Sequence, residues 1–177
     1  MIAKRIARKK GTSDYARLAR YVVGGPGGVD PASWGRLGAY VLDEAHGGEK
    51  VAWSRITNCW SSDPGWAVKE IEATQARNTR STADKSYHLV LSFPEGERPT
   101  REQLADIEDR VCEALGFGEH QRISAVHQDT DHWHVHVAIN KVHPRTFRNV
   151  EPYYDHYRLQ EMCAELEIEH GLTRTNH

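Results

Sequence analysis

The sequence is short of the features that mark secreted and membrane proteins. It has three cysteines, Cys59, Cys112 and Cys163, and none of them stands in a CxxC unit, which argues against a disulfide framework and a thiolate zinc site. No run approaches the roughly 20 apolar residues that cross a bilayer. The basic start MIAKRIARKK is not followed by the apolar segment of a secretory signal. We therefore expect a cytoplasmic protein without membrane insertion.

Net charge is also small, at −2, which by itself argues against a nucleic-acid partner. Its distribution is uneven. Residues 1–20 carry seven lysines and arginines against one aspartate, whereas residues 151–169 carry six acidic residues against one arginine. One end of the molecule is thus suited to face phosphate groups, although an ordinary mixed surface explains the charge alone equally well.

The length of 177 residues corresponds to one domain with a full hydrophobic core. We expect a single domain over residues 1–177, as the N-terminal part of a longer protein. The segment 24–50 is rich in glycine and proline, which predicts a loop or an insertion.

Hydrophobic periodicity predicts an α+β fold with a central antiparallel β-sheet flanked by helices. Strands are predicted at residues 2–8, 51–60, 87–93, 122–128 and 132–142. Helices are predicted after the caps Ser13 and Thr100, from Pro64 to Gln75, and from about residue 155 to residue 170. The fourth and fifth strands are joined so tightly that a hairpin is expected.

The most informative segment is HQDTDHWHVHVAIN, residues 127–140. Side chains alternate between the two faces of a strand, so His134 and His136 share a face. A turn centred on residues 130–131 puts His127 opposite His134 and Asp129 opposite His132, with Cβ atoms about 5 Å apart. His127, His134 and His136 are therefore predicted to converge on one patch of the sheet.

A bound divalent cation explains this convergence best, because three protonated imidazoles would repel one another. The remaining coordination positions would be left to substrate or water. The alternative is three half-exposed histidines with no common role. His132 is left out of the ligand set on the expectation that it lies on the opposite face. Asp129 is suited either to orient an imidazole or to cap the turn.

The pattern HxDTxxxHxHxxxN followed by K-x-H-P resembles the metal motif of the mobilisation relaxases, within the wider family of HUH endonucleases. The resemblance is greatest to the TraI relaxases of IncP-type plasmids and covers most of the chain, with residues 24–50 as the departure. The matching segments include MIAK at the start, RITNC at 55–59, ATQARNTRS at 73–81, GFGEHQRISAVH at 116–127 and EHGLTRTNH at 169–177.

This resemblance implies a relaxase domain that nicks one DNA strand at an origin of transfer and so initiates conjugative transfer. The implied reaction is a metal-dependent transesterification that leaves a 5′-phosphotyrosyl intermediate, with Mg²⁺ or Mn²⁺ as cofactor. The implied partners are single-stranded DNA at the origin, accessory relaxosome proteins, and a coupling protein with a type IV secretion system. The protein would act in the cytoplasm of a bacterial donor cell and be transferred with the strand.

The resemblance also implies Tyr21, in the first helix, as the nucleophile. The helical pattern favours Tyr21 over Tyr15, because Tyr15 lies at the centre of the apolar stripe and Tyr21 on its flank. A phenol has an ordinary pKa of about 10 and needs activation. His127 is a candidate for the base as well as for a metal ligand, and we favour the ligand role; Asp129 and Asp84 are weaker candidates for the base.

Supporting residues come from the loop after the second helix and from the basic start. Ser81 matches the family's second motif, in which a serine contacts DNA near the nick. Lysines and arginines in both regions suit contact with phosphates, which positions a strand without reading its bases; they are Arg77, Arg80, Lys85, Lys9 and Lys10.

Other polar and aromatic residues have two interpretations each. His88 is expected to be a partly buried, hydrogen-bonded histidine or a support for the metal site. Asn140 and Asp84 are candidates for orienting a metal ligand, and Asn140 also for a bond to the phosphate. Trp34, Trp53, Trp60 and Trp66 are expected in the core, with stacking on bases as the alternative.

Two other functions stay open at this point. A rolling-circle replication initiator would use similar chemistry, but the tyrosine precedes the metal motif here, whereas those initiators generally resemble the reverse order. A non-catalytic module that binds single-stranded DNA around a structural zinc would need a closed site of four ligands, and the sequence offers three.

Overall fold

The structure is a computed structural model that describes residues 1–7, 14–24, 50–129 and 132–176. Within these ranges the chain forms five strands and four helices. The strands are β1 (Ile2–Arg5), β2 (Lys50–Thr57), β3 (Ser86–Ser92), β4 (Arg122–Asp129) and β5 (His132–Asn140). The helices are α1 (Tyr15–Gly24), α2 (Pro64–Arg77), α3 (Arg101–Ala114) and α4 (Asp155–Glu169).

The strands form one antiparallel sheet in the order β1-β3-β5-β4-β2, with β5 at its centre. The predicted α+β class with a central antiparallel sheet is confirmed. The β4–β5 register is also as predicted, with His127 opposite His134 and Asp129 opposite His132. The turn residues 130–131 lie outside the described ranges.

One face of the sheet carries the larger core. Alternate residues of β3 and β5, among them Leu89 and Val137, pack against apolar residues of α3 and α4. The predicted capping box at the start of α3 is present, because Thr100 and Gln103 bond each other's backbone N–H groups. Gly116 follows the helix with a φ of 83°, a left-handed conformation that glycine adopts without steric cost.

The other face is covered by α1 and α2. Apolar residues of both helices pack on Ile123, Ala125 and Ala138 of the sheet. The start of α2 is fixed by Asp63, whose side chain accepts a hydrogen bond from the Trp66 N–H, and by Pro64 in the first turn. Because Ala125 and Ala138 alternate with the core side chains, His127 and His136 lie on this α1 side of the sheet.

Within the described part of the chain, the predicted elements agree with the observed ones in type and order. The proposed loop or insertion at 24–50 falls almost wholly on residues 25–49, which lie outside the described part of the chain, as does Ser13, the predicted cap of α1. In the described ranges no helix is long and apolar enough to span a membrane.

Candidate active site

The hairpin of β4 and β5 brings the three predicted histidines together. The rings of His127 and His136 stack with centroids 4.5 Å apart, and the ring of His134 lies 6.4 Å from that of His136. His127 is fully buried, whereas His134 and His136 are partly exposed. Strand pairing therefore creates a compact imidazole cluster at the boundary between the core and solvent.

Strand β3 supplies a polar partner to two of these rings. The Oγ of Ser92 lies 2.9 Å from Nδ1 of His134, and Nε2 of His88 lies 3.1 Å from Nδ1 of His136. His88 is almost fully buried, which agrees with its expected hydrogen-bonded setting. Ser92 was not predicted as a functional residue. The sequence feature that could have indicated it is its position four residues after His88, which places both side chains on the same face of the strand.

The pKa of His136 is lowered to about 3, chiefly by burial and then by the neighbouring imidazoles of His127, His88 and His134. Its ring is therefore neutral at neutral pH. Neutral imidazoles with one nitrogen held by a hydrogen bond are the form in which histidines bind metal ions. The donor atoms of the cluster are therefore of a type that binds divalent cations.

The ring of His127 is not oriented as in a metal site with a bound ion. Its Nε2 lies against the backbone carbonyl of Val22 in α1. A carbonyl only accepts hydrogen bonds, so this nitrogen carries the proton, and Nδ1 is the basic atom of the ring. In the described ranges no three His, Cys, Asp or Glu side chains are arranged to hold a metal ion. The three imidazoles are suitable ligands for a cation. His127 would bind the ion through Nδ1, or through Nε2 after a rotation of its ring.

Tyr21 reaches over this cluster from α1. Its ring centroid lies 5.6 Å from that of His136, 5.7 Å from that of His88 and 6.5 Å from that of His127. The side chain is 38% exposed, so the phenol is in contact with solvent. Tyr15 is buried instead, and its hydroxyl donates a hydrogen bond of 2.7 Å to the Ala138 carbonyl. The structure thus separates the two tyrosines as the helical pattern predicted.

The expectation for His132 was wrong. Its ring lies 6.4 Å from that of His134, because residues 132, 134 and 136 have the same parity and share a face. His132 is exposed at the start of β5, and its Nδ1 lies 3.4 Å from the Phe93 carbonyl. Asp129 is the last residue of β4, two residues beyond His127 on the same strand.

Ser81 lies in a polar groove beside the amino end of α1. Its Oγ accepts hydrogen bonds from Asn149 Nδ2 and Ala83 N–H, each at 3.2 Å. The groove has a volume of about 630 Å³, and nine residues line it: Asp14, Tyr15, Glu72, Gln75, Ala76, Ser81, Thr82, Ala83 and Lys85. It lies at the opposite end of α1 from Tyr21.

The cations near Ser81 differ in their surroundings. Lys85 donates to the carbonyls of Gln75 and Asn78, at 3.0 and 2.6 Å, and so stabilises the end of α2. Arg80 is exposed, and the exposed Arg77 has its guanidinium 4.5 Å from the centroid of the Phe147 ring. Lys9 and Lys10 lie outside the described residues.

Asn140 and Asp84 are not near the histidine cluster, which corrects two of the predicted supporting residues. Asn140 is fully buried, and its side chain bonds Gln75, Gln121 and the Val142 N–H. It lies four residues from His136, about 13 Å along the strand. Asp84 precedes β3 at this same far end and accepts from the Ser86 N–H. Alternation gave the correct face for Asn140 but not its distance from the site.

The expectation of core packing was wrong for two of the tryptophans. Trp60 is 98% exposed and Trp66 is 64% exposed, whereas Trp53 packs against the core as expected. Trp34 lies outside the described residues. The exposure of Trp66 was not recognisable from the sequence, because the next two residues, Ala67 and Val68, are apolar and buried.

Comparison with known proteins agrees with this geometry. The family model described as relaxase, MobA/VirD2-like, nuclease domain, matches residues 40–172. Two proteins named TraI from Escherichia coli are 43% identical over 178 residues and 47% identical over 149, covering 100% and 84% of the chain. A protein named MobA from Acidithiobacillus ferrooxidans is 44% identical over 68 residues, 38% of the chain and 17% of that protein.

The chain spans about a fifth of the length of the two TraI proteins, 21% and 20% respectively. The family match, by contrast, covers most of the chain. The sheet, the histidine hairpin and the tyrosine above it agree with the resemblance found in the sequence. This chain therefore belongs to the relaxases, as a nuclease domain of the MobA/VirD2-like family.

Proposed function

We propose that this domain nicks one DNA strand at an origin of transfer and remains joined to it through Tyr21. The observation that carries the proposal is the position of Tyr21, whose ring lies within 6.5 Å of three histidine rings of the sheet, counted between centroids. A partly exposed phenol beside a cluster of imidazoles joins a nucleophile to groups that can bind a metal or accept a proton.

The proposed reaction exchanges one phosphodiester for another. The Tyr21 hydroxyl oxygen attacks the scissile phosphorus, and the bond from phosphorus to the 3′ oxygen breaks. The products are a 5′-phosphotyrosyl bond and a free 3′-OH, which takes up a proton equivalent to the one that the phenol loses. Because the number of phosphoester bonds is unchanged, the step can run backwards and reseal the strand.

Relaxases generally depend on a divalent metal, and we assign its ligands here to His127, His134 and His136, with Mg²⁺ or Mn²⁺ as the ion. When bound, the cation would polarise the scissile phosphate and stabilise the charge that develops on its oxygens. Ser92 and His88 hold Nδ1 of His134 and of His136, which directs Nε2 as the coordinating atom of each ring.

The proton of Tyr21 requires an acceptor near the site. The Nε2 of His127 faces the Val22 carbonyl, and this histidine is a candidate either for the base or for a metal ligand. We favour the ligand role, because His127 shares a face of the sheet with His134 and His136 and completes a set of three donors. Asp129, beyond His127 on β4, is the remaining candidate for the base or for a residue that orients His127.

The remaining predicted residues would hold the strand on either side of the nick. Ser81 in its groove, with Arg77 and Arg80 exposed beside it, would contact the sugar–phosphate backbone. Lys85 would act chiefly through the end of α2 that it stabilises. Lys9 and Lys10 are proposed to contribute phosphate contacts from the basic start.

The proposal for the whole protein is conjugative transfer. Its partners would be single-stranded DNA of the origin, accessory relaxosome proteins, and a coupling protein with a type IV secretion system. It would act in the cytoplasm of the donor cell and travel with the strand.

The direct test is incubation of the domain with labelled single-stranded oligonucleotides from a candidate origin of transfer, with Mn²⁺ or with a chelator. The expected result is a metal-dependent protein–DNA adduct that survives denaturing electrophoresis, together with a shorter fragment that ends in a 3′-OH. Cleavage without any adduct would show a hydrolytic nuclease instead. Binding without cleavage on every origin tried would favour a DNA-binding module.

A further inference from the structure

Two tryptophans near the start of α2 lie in solvent, although nothing in the reaction requires them there. Trp60 is 98% exposed, while its backbone N–H is fixed by Glu70 Oε2 at 2.9 Å. Trp66 is 64% exposed in the first turn of α2. Indoles are usually largely buried, and an exposed pair on an ordered segment indicates a binding surface.

The exposed side of α2 continues from Trp66 as a stripe of cationic and small side chains. Trp66, Lys69, Ala73 and Arg77 recur every three or four residues, so they share one side of the helix, and all four are exposed. The Lys69 ammonium lies 4.4 Å from the centroid of a Trp66 ring. We call these four residues, with Trp60, the α2 stripe.

Carboxylates border the α2 stripe without occupying it. Glu70 is turned to the side, where it accepts from the Trp60 N–H and from Gln121 Nε2 at 2.7 Å. Glu72 is exposed on the flank of the helix that faces the groove beside α1. The stripe itself is cationic, which complements a phosphate backbone.

The position of the α2 stripe connects it to the proposed active site. Helices α1 and α2 pack side by side on the same face of the sheet as the histidine cluster. From its start at Pro64, α2 runs about 21 Å to Arg77, from which the chain leads into the loop of Ser81. A strand held at Ser81 can therefore continue along α2 toward Trp66.

We propose that the α2 stripe binds single-stranded DNA, with bases stacked on Trp66 and Trp60 and phosphates paired with Lys69 and Arg77. The inference rests on the proposed function, since it extends the path of the same strand. Aromatic rings set among cations are the chemistry by which proteins bind unpaired strands. A docking face for a protein would instead offer a contiguous apolar patch, whereas here the exposed Trp66 indole is followed along the helix by the cations Lys69 and Arg77.

The test compares two substitutions of Trp66 in a binding assay with a fluorescent (dT)30 oligonucleotide. Trp66→Phe keeps a ring and Trp66→Leu keeps only apolar bulk. Stacking on one base predicts at least about five-fold weaker binding for Trp66→Leu and a much smaller loss for Trp66→Phe. Lys69→Gln should lower the slope of log affinity against log salt by about 0.7. Tyr153→Leu is the control, because Tyr153 is 78% exposed at the acidic start of α4.

Thermal unfolding of each variant shows whether its fold is intact. Wild-type affinity in Trp66→Leu would overturn the inference and leave the proposed function standing. Equal losses in Trp66→Phe and Trp66→Leu would also overturn it, because a ring would then not be what binds. If the wild-type domain itself did not bind single-stranded DNA, the proposed function would fail together with this inference.

Discussion

At the scale of single residues, two side chains of β3 define how the histidines of β5 are presented. Ser92 lies directly opposite His134 in the β3–β5 register, and His88 lies diagonally across from His136. Each bonds Nδ1 of its partner. A hydrogen bond of this kind fixes the tautomer and the ring orientation of a metal ligand. We therefore expect metal affinity to depend on β3 as well as on the histidines.

Calorimetric titration of Mn²⁺ tests this dependence. His134→Ala and His136→Ala should abolish binding or weaken it strongly, because each removes one of three proposed ligands. Ser92→Ala should weaken binding about ten-fold or more, through loss of the bond that orients His134. Ser92→Thr keeps the hydroxyl group and should bind nearly as the wild type does.

Wild-type Mn²⁺ affinity in both histidine variants would show that the ion, if any, binds elsewhere. Equal affinity in Ser92→Ala and the wild type would show that the serine only packs. His132→Ala serves as a matched control, because His132 lies on the same face at the exposed end of β5. Its loss should affect binding less than the loss of His134.

The sequence predicted the cluster because alternation and one short turn determine which hairpin residues meet. It placed Ser92 on the same strand face as His88 but did not predict its contact with His134, because the pairing of β3 with β5 joins residues more than forty positions apart. It also could not predict the exposure of Trp60 and Trp66, which depends on where α2 lies on the sheet. The error over Asn140 arose because alternation fixes a face and leaves the distance along the strand open.

At the scale of elements, a buried ionic network joins β4 to α3 on the outer side of the hairpin. Glu108 of α3 is fully buried and accepts from Arg122 Nε at 2.7 Å and from Ser124 Oγ at 2.6 Å. Arg122 is itself almost fully buried, and the neighbouring Asp109 forms a two-pronged pair with Arg55 of β2 at 2.8 Å. The network therefore ties two adjacent strands to one helix.

Glu108→Ala should lower the free energy of unfolding by about 3–5 kcal/mol, because it leaves the buried Arg122 without its one fully buried carboxylate partner. Urea unfolding followed by circular dichroism measures this change. Glu119→Ala is the matched control, because Glu119 pairs with Arg145 at the surface; surface pairs contribute little. An unfolding midpoint of Glu108→Ala close to that of the wild type would contradict this account of the network.

Helices and strands were predictable because each carries a regular apolar pattern with a cap or a glycine at its end. The ionic network was not predictable, because charged residues such as Glu108 and Arg122 are usually exposed on a helix or a strand. They are buried only because α3 packs across β4.

At the scale of the whole molecule, the two faces of the sheet have different roles: one carries the larger hydrophobic core and the other the residues of the proposed reaction. Helices α3 and α4 close the larger core on one face. Helices α1 and α2 lie on the other face, with Tyr21 above the histidines and the α2 stripe on the exposed side of α2. Substitutions in the second layer that leave its packing intact should therefore change DNA binding and cleavage without unfolding the domain.

The central claim is that Tyr21 becomes joined to the cut strand, and Tyr21→Phe tests it most directly. This change removes only a hydroxyl group from a partly exposed ring, so the fold, Mn²⁺ binding and DNA binding should all survive. Tyr153→Phe is the control, because Tyr153 is also exposed and precedes α4, which packs on the other face of the sheet. In an assay with origin oligonucleotides and Mn²⁺, Tyr21→Phe should lose cleavage and the covalent adduct together, while Tyr153→Phe keeps both. An adduct formed by Tyr21→Phe, or cleavage by it without one, would contradict the account.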